Sequence, residues 1–126
     1  MADDKFNGIV LYNIERDGCL NGVYTNEQAY TGRIYNEIAR RQNQDKHYKI
    51  ESEEGKRACC NIDIEGHYDC QYFDVNNEYC RCELEIKRDP ITAHNVYRFY
   101  WRGKNGRDFE GIGYQMNHNQ LAVSYW

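Results

Sequence analysis

Proline is nearly absent from this chain, which carries a single one at position 90. No apolar stretch approaches the roughly 20 residues that a membrane-spanning helix needs. The first apolar run, Gly8 to Leu11, is also too short for the core of a secretory signal, and the Met-Ala-Asp-Asp-Lys that precedes it is polar and acidic. There is no Asn-x-Ser/Thr sequon. These absences lead to the expectation of a cytoplasmic protein with no membrane partner. A basic excess is missing as well: 16 Lys and Arg stand against 20 Asp and Glu, for a net charge of -4 and a pI near 5.5. That balance argues against a nucleic-acid backbone as partner, and the dispersed pairs Arg40-Arg41 and Lys56-Arg57 read as solvated turns. Missing too are the nucleophile elbow, the phosphate loop and the His-Glu-x-x-His zinc signature. His47, His67, His94 and His118 stand singly beside turns or strand ends, and Gly111-Ile-Gly113 lies inside a strand with no helix after it. With no positioned acid, base or nucleophile, no enzyme is expected, and no cofactor.

What the chain does have is tyrosine, 12 residues against 4 phenylalanines, a composition suited to strands carrying half-buried, hydroxyl-bearing rings. Its 126 residues suffice for one domain and are too few for two comfortable ones. The last third reads as three strands. Asn105-Gly106 has the form of a two-residue type I′ turn, which sets Trp101 against Glu110, Phe99 against Ile112 and Tyr97 against Tyr114. A second turn at His118-Asn119 sets Met116 against Leu121, Tyr114 against Val123 and Ile112 against Tyr125. Both registers place Tyr97, Phe99, Trp101, Ile112, Tyr114, Met116, Leu121, Val123 and Tyr125 on one face.

Upstream, Gly8 to Ile14 and Cys19 to Thr25 form a hairpin about Asp17-Gly18. Thr25-Asn-Glu-Gln28 then has the form of a capping box. Tyr30, Ile34, Tyr35, Ile38 and Ala39 follow at helical spacing, which predicts one helix near residues 26–43. The rival is a strand at Gly32 to Arg41, placing Ile34, Asn36 and Ile38 together, and Gly32 costs a helix about 1 kcal/mol. His47 to Ser52, Arg57 to Ile64, His67 to Val75 and Glu78 to Arg88 all read as strands. In the last of these Cys80, Cys82, Leu84 and Ile86 alternate with charged residues, and Asp89-Pro90 ends it. The expected fold is a mainly β, single-domain antiparallel meander over residues 1–126, barrel-like, with about eight strands.

Leu20-Asn-Gly-Val-Tyr-Thr-Asn26 resembles the first strand of avidin-like barrels, which carry Leu-x-Gly-x-aromatic-Thr-Asn there. Gly22-Val-Tyr24 is similar to a relaxed Gly-x-Trp of the lipocalins. The resemblance covers seven residues and implies a calycin-type barrel in which Asn26 helps hold a ligand's polar head. Tyr30 departs from the family's pattern, standing where a binding serine is expected, so the resemblance does not imply biotin.

The six cysteines are Cys19, Cys59, Cys60, Cys70, Cys80 and Cys82. A three-residue loop at Val75-Asn76-Asn77 pairs Tyr72 with Cys80, Cys70 with Cys82 and Tyr68 with Leu84, aligning every apolar position, with an asparagine in the left-handed conformation. Cys70, Cys80 and Cys82 then share a face. Buried thiols acting as small hydrophobes, a Cys70–Cys82 disulfide, a structural zinc on those three cysteines and a reactive thiol all remain open. Cys59 and Cys60 point to opposite faces of one strand.

Two binding functions follow. One is a small polar or aromatic ligand held in or on a barrel, contacted by Asn26, Arg98, Tyr100, Arg102, Ser124 and Trp126. Arg98, Tyr100 and Arg102 share with Gly111, Gly113, Ala122, Ser124 and Trp126 a face of small, charged and aromatic groups, which the glycines would equally let lie on an outer surface. The other is a protein-interaction module of inhibitor or immunity type. It would use an exposed sheet face or a C-terminal edge strand, which would also serve homodimer pairing.

Overall fold

A computed structural model describes residues 6–29, 32–42, 63–91 and 95–126. Eight strands follow one another: β1 (Gly8–Ile14), β2 (Leu20–Asn26), β3 (Tyr35–Arg41), β4 (Gly66–Phe73), β5 (Tyr79–Arg88), β6 (Val96–Gly103), β7 (Phe109–Asn117) and β8 (Gln120–Tyr125). Each pairs antiparallel with the next, and β1 pairs with β8, closing an up-and-down barrel. Closure satisfies every strand on both sides. The C-terminal strand, expected as a free edge for augmentation or homodimer pairing, is therefore covered by β7 and β1.

Alternation sorts the side chains. Val10, Tyr12 and Ile14 of β1, Tyr68 and Cys70 of β4, and Cys82, Leu84 and Ile86 of β5 point into the barrel and join one core, with Cys80 buried on the same face of β5. The β1–β2 hairpin turns at Asp17-Gly18 as its sequence indicates, with Gly18 at φ 87°. The β4–β5 register also matches expectation, pairing Tyr72 with Cys80, Cys70 with Cys82 and Tyr68 with Leu84. Asn77 holds the left-handed conformation there, at φ 65°.

Two expectations are corrected. No helix occurs among the described residues, and the segment given to one at 26–43 contains β3 instead. Gly32, at φ 82°, breaks any helical path. Beyond it, pairing with β2 and β4 satisfies the β3 backbone on both edges. Tyr35, Glu37 and Ala39 turn inward while Ile34 and Ile38 stay at the surface, so tertiary pairing overrides the helical spacing. The expected capping box is instead an Asx turn, in which the Gln28 N–H donates to Asn26 Oδ1 at 2.8 Å. The expected strands at His47 to Ser52 and over most of Arg57 to Ile64 lie outside the described residues, as do Tyr30, Cys59, Cys60, His47 and His94.

The second correction is the register of β7. Trp101 pairs with Phe109, Phe99 with Gly111 and Tyr97 with Gly113, one residue away from the expected alignment. Asn105 does not centre a tight turn. Its side chain accepts from the Arg81 N–H at 2.8 Å and donates to the Tyr79 carbonyl at 3.0 Å, tying the loop to β5. At the far end the turn at His118-Asn119 forms, but an irregularity between Gln115 and Asn117 moves Leu121 opposite Gln115, Val123 opposite Gly113 and Tyr125 opposite Gly111. The faces of β6 and β8 are as expected, whereas β7 is flipped. Gly111, Gly113 and Gln115 point inward, leaving Tyr114 and Met116 exposed. The cause is steric. A Cβ on Gly113 would lie 2.7 Å from the Phe99 ring and 2.8 Å from Val123 Cγ2, so large rings on β6 and β8 require a β7 with nothing between them.

Candidate ligand-binding pocket

The barrel interior is filled at one end and open at the other. Near the filled end, Ile64 packs fully buried. Arg41 holds the segment around it by donating to the Asp63 and Glu65 carbonyls at 3.0 and 2.7 Å, and to the Tyr68 hydroxyl at 2.9 Å. Tyr68 in turn donates to the Ile64 carbonyl at 2.8 Å. The other rim, where β2, β4, β6 and β8 end, surrounds a cavity of about 350 Å³. That volume is within the range of small-molecule sites.

Aromatic rings make its walls. Tyr24 meets Tyr72 and Tyr125 edge to face, Trp101 meets Tyr125 in the same way, and Phe109 abuts Tyr125. The rings are held from behind: Tyr24 donates to the Phe73 carbonyl, and Asn26 Nδ2 donates to the Tyr125 hydroxyl at 3.0 Å. Arg107 lies over the rings of Phe6 and Phe109, 4.8 and 5.1 Å from their centroids.

Glu37 lies at the inner end of this space. It is only 7% exposed yet lines the cavity. Three donors converge on its Oε2: the Tyr12 hydroxyl, the Cys70 thiol at 2.9 Å and the Trp101 indole N–H at 3.0 Å. No donor among the described residues reaches Oε1. Burial pushes the Glu37 carboxyl above its usual range, and the hydrogen bonds from Cys70, Tyr12 and Trp101 oppose that shift. Burial likewise pushes Tyr12 and Cys70 well up, each raised further by the neighbouring Glu37 charge, and Tyr125 up to about 12. The rings and the thiol are thus neutral donors around a single acid. Helical spacing puts Glu37 on the solvent side with Arg33 and Arg41. A lone acid inside an apparent helix carries no signal, and its inward direction follows only once β3 is known to be a strand.

The residues singled out in the sequence divide. Asn26 lines the pocket. Arg98, Tyr100, Arg102 and Ser124 lie on the outer surface of β6 and β8, as strand alternation requires, and Trp126 follows the inward Tyr125. Arg98 and Ser124 share one outer row, both paired with Ile112. The Arg98 guanidinium faces buried Asp89 at 3.4 Å. Gly111 and Gly113 do not belong to that face, since they point inward.

Cys70, Cys80 and Cys82 share the interior face, and they are free thiols, so the Cys70–Cys82 disulfide is not formed. Cys80 and Cys82 are two residues apart on one strand, about 7 Å, with Cys80 near the rim beside Asp74. Among the described residues no three His, Cys, Asp or Glu side chains are placed to hold a metal ion, which removes the support for zinc on these cysteines. No helix among those residues is long and apolar enough to cross a membrane. No family model, curated protein or solved structure matches the chain.

Proposed function

We propose that this protein is a non-enzymatic binder that holds a small polar or aromatic molecule in the open end of its barrel. The observation that carries the reading is the aromatic-walled cavity ending on the buried carboxyl of Glu37. A core built for stability alone would gain from an apolar residue at that depth, because an imperfectly paired buried acid costs free energy. Eight-stranded barrels have room for one small ligand. Asn26, to which the avidin-like resemblance assigns a ligand's polar head, lines the same cavity. Among the described lining groups the Cys80 thiol reaches the Asp74 carboxylate only at 3.9 Å, and burial raises its pKa, which makes it a poor nucleophile and favours binding over catalysis.

Gly106 provides the test. A Cβ there would project toward the Tyr72 hydroxyl and Cys80 Sγ, at 3.3 and 3.6 Å, within the cavity rim. Gly106→Leu is therefore expected to fill the mouth while the barrel stays folded. Thermal shifts across a metabolite panel, with native mass spectrometry of the purified protein, should reveal a bound species in the wild type and lose it in Gly106→Leu. A wild type that binds nothing, or a Gly106→Leu variant that binds equally well, would refute pocket binding.

A second reading, a protein-interaction surface, draws on the outer face of β7, β8, β1 and β2. Tyr114, Ala122, Leu11 and Val23 stand in one cross-strand row, and Tyr114 and Leu11 are each 50% exposed. Contiguous exposed apolar groups of this kind mark interaction sites. Leu11→Lys should abolish any association that sedimentation detects, and a purely monomeric wild type would leave this face without a partner of its own kind.

A further inference from the structure

We propose that the molecule held in this pocket is a small organic cation, an ammonium or amidinium group on a flat apolar body, with its charge at Oε1 of Glu37 and its body between the rings of Tyr24, Trp101 and Tyr125. The inference rests on the pocket reading above and specifies its ligand class.

Three observations converge. First, the donors are divided unequally between the two oxygens of Glu37. Oε2 receives Tyr12, Cys70 and Trp101, so a proton on the carboxyl has its place on Oε1, the oxygen no donor among the described residues reaches. A ligand N–H⁺ at that point can displace the proton and complete the carboxylate's hydrogen bonding. Second, the cavity is short of positive charge. Among the described residues that line it, Glu37, Asp74 and Glu78 are acidic and Arg107 is the one basic residue. Buried carboxylates in proteins are normally paired, and here a ligand would supply the missing partner. Third, the walls suit a cation. Aromatic faces attract positive charge, and the same rim already does so, holding Arg107 over Phe6 and Phe109. A carboxylate or phosphate ligand would meet like charge at Glu37 once that carboxyl is ionised, and would share the cavity with the acidic residues Asp74 and Glu78.

Benzylammonium serves as probe, with benzyl alcohol as its neutral isostere and benzoate as the anion. The Trp101 indole N–H, hydrogen-bonded to Glu37, is the NMR reporter. Benzylammonium should shift that signal saturably and bind at least tenfold more tightly than either analogue. Glu37→Gln should weaken it at least tenfold and leave benzyl alcohol unchanged. In wild-type protein, which requires no variant to fold, intermolecular NOEs should place the benzylic methylene nearer Trp101 than the phenyl ring's far edge.

Equal or tighter binding of benzyl alcohol or benzoate, or a methylene at the rim with the ring innermost, would overturn the cation while leaving pocket binding intact. Binding of benzylammonium undiminished by Glu37→Gln would do the same. Silence from all three probes would also overturn it, and pocket binding would then stand or fall on the Gly106→Leu comparison.

Discussion

Toward the β1–β2 and β7–β8 turns the barrel interior is built mainly of the buried apolar side chains Ile14, Leu20, Ile64, Leu84, Ile86 and Leu121, with the buried amide of Gln115 beside Leu121 as the polar exception. Toward the opposite rim β2, β4, β6 and β8 contribute Tyr24, Tyr72, Trp101 and Tyr125 around a buried acid and an open cavity. Both ends obey the same inward-outward alternation, so the difference lies in side-chain volume and polarity. The filled end contributes packing, since each large apolar side chain gains roughly 1.5–3 kcal/mol on burial. The open end gives up part of that gain to keep polar groups dry and oriented, which suits a binding site.

The sharpest way to break this contrast is Phe99→Ala. Phe99 is fully buried between the two ends, stacked on Trp101 and Tyr12. Its removal should cost about 3–5 kcal/mol in denaturant unfolding, and a loss below about 1 kcal/mol would mean that the interior is not packed as described. Gly113→Ala comes next. The added methyl would press on Phe99 and Val123, so a destabilisation of about 1–3 kcal/mol is expected. A neutral or stabilising substitution would instead support the register with Ile112 inward.

Glu37→Gln carries the smallest stability change and the clearest sign. Burial raises the Glu37 pKa, so the folded protein binds a proton there more tightly than the unfolded chain does. Wild-type stability should therefore fall as pH rises from the ordinary carboxylate value through the raised one. Glu37→Gln should abolish that slope and be the more stable protein at the upper end of this window. Unfolding free energies measured across pH would decide it, and parallel curves for the two proteins would show that Glu37 is not the buried acid described.

Hairpins whose turns determine their own register were legible in the sequence. Asp17-Gly18 marked where the first hairpin turns, and the Val75–Asn77 loop brought the right partners together, because its turn chemistry and the apolar alternation agreed. The β6–β7 hairpin misled for a physical reason. Asn105 looks like a turn residue, yet its amide is hydrogen-bonded to β5, a strand whose position only closure fixes. Glu37 was illegible for a related reason, since helical spacing over Tyr35–Arg41 competes with strand alternation until β2 and β4 take their places on either side.

By itself the amino-acid order determined the predominance of strands, their antiparallel succession and the inward faces of β5, β6 and β8, because alternation and turn preference act over a few neighbours. Barrel closure, the inward turn of the β7 glycines and the meeting of Tyr12, Cys70 and Trp101 on Glu37 were decided by tertiary structure. Those contacts join residues 25, 33 and 64 positions apart, and only the packed rings define the space each side chain can occupy.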